Sequence, residues 1–234
     1  MNKLIRSVAL IMSFAFFSLA TSSLVIHMGN KVSKKISSSA VKSQRIVVID
    51  AGHGGIDGGA EADDGTLEKN LNLSLVLSIR DFLEASGVDV VLTRERDVMY
   101  AESSSPHKKL DDLNERIRIT EDAEALAFVS IHMNKFPVPK YSGLQVYYSE
   151  NNEESAVLAE MIQTFTSINF QTDNKRTIKP AGSSIYLLDK LECPAVLVEC
   201  GFLSNPDELK KLKSDEYRKA LAALIGVCIL EYIK

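Results

Sequence analysis

Residues 45–55 read Arg45-Ile46-Val47-Val48-Ile49-Asp50-Ala51-Gly52-His53-Gly54-Gly55. Four β-branched aliphatic residues in a row, closed by an acid and a glycine-rich loop, describe a short strand buried on both faces. Strands of that kind belong to parallel sheets, whose crossovers are helices. The chain on either side of this strand should therefore alternate between the two periodicities, and it does.

Downstream, Glu68 to Leu83 carries Leu71, Leu75, Ile79 and Leu83 (or Phe82) on one helical stripe. Val88–Thr93 is a second strand, and Leu110–Ala125 a second helix with Leu113, Ile117 and Ala123 inward. Leu126–Ile131 and Gly143–Tyr148 predict a third and a fourth strand. Glu154–Ile168 reads as a helix with Leu158, Met161, Ile162 and Phe165 on its apolar side. Ser184–Leu187 and Ala195–Val198 predict two more strands. Asn205-Pro206-Asp207-Glu208 opens a short helix with a capping residue followed by proline, and Tyr217–Ile233 closes the chain as a long amphipathic helix. The pattern predicts a single α/β domain over residues 45–234. Its sheet should have about six mostly parallel strands, flanked by helices on both faces.

Composition agrees and narrows the function. The 234 residues are 45% hydrophobic and 25% charged, enough apolar material for one full core and incompatible with a mainly disordered chain. Twenty-seven basic against 31 acidic side chains leave a net charge of −4, which argues against a nucleic-acid partner.

The first 28 residues have targeting character. Lys3 and Arg6 precede the apolar run Val8–Ala20, and Ser18-Leu19-Ala20 puts small residues where a signal peptide is cleaved. Apolar character continues to Met28, so a signal peptide and a membrane anchor both fit. Residues 29–44, rich in Lys, Ser and Val, read as a tether. The working domain is expected outside the cytoplasmic membrane, in contact with it only through the N-terminal segment. Cys193, Cys200 and Cys228 are odd in number and lack metal spacing, so free thiols are expected.

In open α/β sheets, function gathers at the loops leaving the carboxyl ends of strands. His53 sits in the first such loop. Glu68 begins the following helix, where the helix dipole favours a carboxylate, and His132 lies just past the third strand in Ser130-Ile131-His132-Met133-Asn134. Two histidines and one glutamate from separate elements match the three-ligand sites of catalytic zinc, which keep a position for water. Each also fits a plain structural role, and the residues alone leave both uses open. Gly52-x-Gly54-Gly55-x-x-Gly58 lacks the Lys-Ser/Thr of a phosphate loop, which sets nucleotide binding aside. Glu199 ends the apolar run Pro194-Ala195-Val196-Leu197-Val198. Burial there would raise its pKa toward the range of general acid/base work, a structural ion pair being the alternative.

Together, Asp50-Ala-Gly-His53-Gly-Gly, Glu68-Lys69, Leu92-Thr-Arg94, Ser130-Ile-His132-x-Asn134 and Val198-Glu199-x-Gly-Phe-Leu-Ser-Asn resemble the zinc N-acetylmuramoyl-L-alanine amidases of the amidase 3 family. The resemblance runs in order from Ile46 to Ile233. It implies one Zn2+ held by His53, Glu68 and His132, with Glu199 as the catalytic carboxylate and peptidoglycan as substrate. Asn134, Arg94 and Lys179 are candidate substrate contacts or supports of the ligands, or else structural pairs. Cys200 stands where several members of that family differ. A targeting segment leading straight into a bare catalytic domain is similar to the spore-cortex amidases of spore-forming bacteria. Those enzymes act with a deacetylase in muramic δ-lactam formation and so in germination, and in some clostridia need a lipoprotein activator. The acidic segment Ala60-Glu61-Ala62-Asp63-Asp64-Gly65 between two of the presumed ligands suggests a mobile loop, which such a partner would order. The competing expectation is an inactive wall-binding or regulatory module of the same fold.

Overall fold

The computed structural model describes residues 45–102 and 104–234; the targeting segment and the tether lie outside the described residues. Six strands form one sheet: β1 (Ile46–Ala51), β2 (Asp89–Leu92), β3 (Ala127–Asn134), β4 (Gln145–Tyr148), β5 (Lys179–Pro180) and β6 (Ala195–Phe202). Six α-helices accompany them: α1 (Glu68–Ala85), α2 (Lys108–Asp122), α3 (Glu154–Asn169), α4 (Tyr186–Lys190), α5 (Pro206–Lys213) and α6 (Asp215–Tyr232). Among the described residues no helix is long and apolar enough to cross a membrane.

The strand order is β2-β1-β3-β6-β4-β5, and only the β4–β6 pair is antiparallel. From β1 the chain moves to one neighbour, β2, then returns to the other, β3. The reversal leaves a crevice at the carboxyl ends of β1 and β3, where such sheets place ligands.

Alternation along the strands sorts the side chains into two cores. Val47, Ile49, Val129, Ile131, Val196 and Val198 face the long helices α1, α3 and α6. Val48, Phe128, Ala195 and Leu197 face the thinner layer of α2 and α4. Asp50, Ser130, His132 and Glu199 continue this second face toward the carboxyl ends of their strands. The site is thus an extension of the thinner layer, where a cleft opens beside α2 and the five-residue α4.

Local signals explain most boundaries. Asn205 accepts hydrogen bonds from the amides of Asp207 and Glu208, and Pro206 opens α5. Helix α1 has no side-chain cap; instead the Ala60 and Gly58 carbonyls accept from the amides of Glu68 and Lys69.

One expected strand is absent. Ser184–Leu187 ends a 3-10 turn (Gly182–Ser184) and enters α4, and the sixth strand is Lys179–Pro180 instead. The apolar run Ile185–Leu188 is too short for periodicity to choose between helix and strand. Burial of the consecutive Leu187 and Leu188 against the thinner core settles it as helix.

Candidate metal centre

The loop after β1 is held by two buried arginines and one buried amide. Arg94 donates from Nε to the Ala51 carbonyl (2.8 Å) and from Nη2 to those of Gly52 (3.0 Å) and Lys69 (2.9 Å). Arg116 donates from Nη1 to the Ala51 carbonyl (2.7 Å) and from Nη2 to that of His53 (2.8 Å). Asn72 adds a bond to Gly52 (3.1 Å). These contacts hold His53 at φ 62°, a left-handed conformation that a non-glycine residue keeps only when its surroundings impose it. A Cβ on Gly52 would lie 2.2 Å from the His132 ring, so that position must be glycine for the ring to fit.

His53, Glu68 and His132 converge. Each offers one ligand atom, and the three atoms lie within 4.8 Å of one another. Glu68 Oε1 is 3.3 Å from His53 Nε2 and 2.9 Å from His132 Nδ1, and the two rings meet edge-on with centroids 4.9 Å apart. Three donor atoms this close suit a single small cation, whose bonds to such ligands are roughly 2.0–2.2 Å for zinc. Burial would raise the Glu68 pKa, but His132 and His53 outweigh it and hold the carboxyl well below the usual range. Burial likewise would lower His53, yet its contacts with Glu68 and Asp57 leave its pKa raised. The donor set therefore fits a divalent cation, which would replace the proton shared among these groups.

The ligand atoms are backed by a second layer. Glu68 Oε2 accepts from the Ala60 amide (2.8 Å), and Oε1 accepts from Met133 N (3.1 Å) and Asn72 Nδ2 (3.2 Å). Asp57 Oδ2 lies 2.9 Å from His53 Nδ1, leaving Nε2 toward Glu68. Carboxylate partners of this kind fix the tautomer and orientation of a ligating imidazole. Below them, Asp50 accepts from Thr93 Oγ1 (2.6 Å), Ser130 Oγ (2.5 Å) and Arg116 Nη1 (2.6 Å), all buried.

Glu199 stands beside the cluster, paired in register with His132. Its Oε2 is buried and has no hydrogen-bond partner. Burial pushes its pKa up to about 7; His132 and His53 oppose this shift and Glu68 adds to it. Directly after it β6 bulges, so that Glu199 and Phe202 face His132 and Asn134. Bulges at such places re-aim side chains. Cys200, inside the bulge, is fully buried in the core of the long helices, on the other face from Glu199. All three cysteines are free. A cleft of about 400 Å³ opens from Gly52, His53 and His132 toward Lys109, Leu113 and Tyr186.

Residues 47–231 match the family model described as N-acetylmuramoyl-L-alanine amidase. The chain belongs to that family. It is 35% identical over 193 residues to the germination-specific N-acetylmuramoyl-L-alanine amidase of Bacillus subtilis, covering 81% of this chain and 80% of that one. The CwlD amidase from Clostridioides difficile, solved in complex with the GerS lipoprotein, superposes with a TM-score of 0.77 at 38% identity, over 80% of this chain and 98% of that one. The amidase AmiC2 of Nostoc punctiforme does so with a TM-score of 0.70 at 34% identity, over 81% and 97%. The protein is thus an amidase of the cell wall, and its substrate is peptidoglycan.

Of the residues singled out in the sequence, the amidase fold brings His53, Glu68, His132 and Glu199 together and treats the others differently. Arg94 is buried and spends its donors on backbone carbonyls beneath the ligand loop. Asn134 closes β3, and its carbonyl accepts from Leu203 N (2.7 Å). Lys179 is exposed on β5, at the sheet edge and outside the lining of the cleft. Asp57, Asn72 and Arg116 escaped the sequence analysis, and Asp50 and Ser130 entered it only as members of motifs, with no role of their own. Two had a signal: Asn72 lies four residues from Glu68 on one helix face, and Arg116 four from Asp112.

The acidic segment between His53 and Glu68, expected to be mobile, makes hydrogen bonds and an ion pair to the rest of the domain. Ala62 is buried and its amide bonds to Thr66, Glu61 bridges to Leu67, Lys135 Nζ donates to the Glu61 carbonyl, and Lys213 pairs with Asp64. Crowded carboxylates suggested repulsion; cations from distant elements and backbone bonds offset it.

Proposed function

We propose that the amidase holds one zinc ion through His53, Glu68 and His132, and that Glu199 moves the proton in cleavage of the bond between the muramic lactyl carbonyl and L-alanine. The observation that carries this is the buried, unpartnered Oε2 of Glu199 beside three converging ligand atoms. An unsatisfied buried carboxylate oxygen is costly, and a reactant that supplies the missing hydrogen bond relieves that cost. When bound, zinc supplies Lewis-acid polarisation and a water acidified toward ~7. Glu199 accepts the proton of the attacking water and returns it to the leaving nitrogen, one group serving as base and then acid. Arg94, Arg116 and Asn72 hold the His53 loop against the start of α1, which keeps the ligands in place through the reaction. Asn134 lies on the same edge and is a candidate substrate contact, as is Lys179 farther out on β5.

The biological setting proposed is the spore cortex, where stem-peptide removal followed by deacetylation yields muramic δ-lactam needed for germination. Likeness to the germination-specific amidase supports it. The relative solved with a lipoprotein supports a lipoprotein activator for this chain as well. Export through the N-terminal segment, cleaved or retained as an anchor, brings the domain to its substrate. Mass analysis of sacculus and cortex digests, with zinc content measured on the same preparation, tests the proposal. Stem peptides starting with L-alanine and about one zinc per chain are expected; intact muropeptides after incubation with zinc-loaded protein refute it.

A further inference from the structure

The segment Lys135-Phe136-Pro137-Val138-Pro139-Lys140-Tyr141 leaves β3 three residues after His132 and presents apolar side chains to solvent. Phe136 is 45% exposed, Val138 41% and Tyr141 38%. The Phe136 and Tyr141 rings meet edge-to-face with centroids 4.9 Å apart, the Tyr141 and Phe202 centroids are 6.4 Å apart, and the Arg176 guanidinium lies over the Phe202 ring at 4.8 Å. Lys140 lies over the Tyr141 ring.

The loop is braced. The Phe136 amide donates to Ser204 Oγ (3.1 Å), Asn205 Nδ2 to the Tyr141 carbonyl (3.3 Å), and Lys135 Nζ to the Glu61 carbonyl (2.6 Å). Two prolines restrict what backbone freedom is left. It is thereby fastened both to the loop following β6, the strand of Glu199, and to the loop preceding Glu68. Pre-ordered rings lose little entropy when something docks on them.

We infer that this loop is a platform for the glycan strand, on which pyranose rings neighbouring the muramic residue stack against Phe136 and Tyr141. The inference rests on the assignment of His53, Glu68, His132 and Glu199 as the reaction centre. Three part-exposed side chains offer at most about a few hundred Å². That is the scale of one or two sugar rings, well short of the ~800 Å² per partner of a standard protein interface. The substrate of a peptidoglycan amidase is itself a polymer of such rings, and the loop leaves the very strand that brings His132 to the site. Sugar rings present flat C–H faces that match an aromatic surface, and the flanking Lys135 and Lys140 suit a polymer that bears carboxylates.

The test compares the full chain with a Phe136→Ala/Tyr141→Ala double variant and with Phe136→Trp. Each is assayed on polymeric peptidoglycan and on a soluble single-sugar muramoyl peptide, and binding of peptide-stripped glycan strands is measured apart from turnover. Expected is a roughly tenfold loss of kcat/KM on the polymer, carried by KM, with the small substrate unaffected and Phe136→Trp retaining wild-type behaviour. Glycan binding should weaken in parallel. Equal losses on both substrates, or glycan binding indifferent to the rings, overturn the platform. A wild-type chain that releases no peptide yet binds stripped glycan through these rings refutes the reaction centre and leaves the platform standing. Concentration-dependent dimers lost in the double variant, with glycan binding unchanged, assign the rings to a second copy of the chain and overturn the proposal.

Discussion

His132 and Glu199 face each other across the neighbouring parallel strands β3 and β6, on the side of the sheet covered by the thinner helix layer. Register partners share a face, so a single backbone pairing sets a carboxylate beside an imidazole. A slip of one residue in either strand would turn one of them into the core of the long helices. The placement of these two side chains is therefore as robust as the central strand pairing.

Replacing Glu199 by Gln should leave fold and bound zinc intact and lower turnover about 10²–10⁴-fold, because an amide of the same shape cannot take up a proton. Zinc content and peptide release measured on one preparation check this. Near wild-type hydrolysis by the zinc-loaded variant would exclude Glu199 from proton transfer.

Asn72→Ala should weaken zinc binding by roughly 10–100-fold while secondary structure is retained. The amide bonds both the Glu68 carboxylate and the Gly52 carbonyl, joining the two elements that carry ligands. Competition with a chromophoric chelator reads the affinity directly. An unchanged constant would show that Arg94 and the loop suffice.

Because the segment between His53 and Glu68 is held by hydrogen bonds and ion pairs, the isolated domain should take up zinc stoichiometrically with no second protein, the proposed lipoprotein then acting on turnover rather than on metal uptake. Titration monitored by the same chelator checks it. A lipoprotein that raises zinc affinity more than tenfold would return the loop to the mobile role its sequence suggested.

Acid should unfold the protein partly through Asp50. Burial alone would raise this carboxyl, but Arg116, Ser130 and Thr93 hold its pKa below 3.8. A depressed folded-state value means that the ionised form is stabilising above the unfolded value near 3.8, and that this contribution is lost as pH falls through the folded value. Asp50→Ala strands the Arg116 guanidinium with Asp112 alone and should cost roughly 3–5 kcal/mol at neutral pH. Urea melts from pH 7 to pH 3 compare the two; parallel curves would remove Asp50 from the acid response.

Leu75 is fully buried on α1 in the larger core. Leu75→Ala should lower stability by about 2–5 kcal/mol, read from the denaturant midpoint. A loss under 1 kcal/mol would mean that the core collapses around the gap.

What this chain's sequence determined alone is the alternation of elements and which polar groups stand at the ends of its strands and helices. The β-branched run Ile46–Ile49 and the stripe Leu71–Leu83 are local patterns, because strand and helix periods are properties of neighbouring residues. His53, Glu68, His132 and Glu199 were legible as candidates because each stands near the end of a strand or the start of a helix, within motifs that resemble those of the amidase family. Tertiary structure decided what depends on residues far apart. Tyr186–Leu188 became helix through packing on the sheet, the acidic loop was bonded by Lys135 and Lys213, and Arg94 turned inward to backbone carbonyls. Asp50, Asn72 and Arg116 acquired their roles from hydrogen bonds spanning up to 80 residues of chain. Such partners leave no periodic trace, since nothing in a residue's own neighbourhood says which distant carbonyl or carboxylate the fold will bring to it.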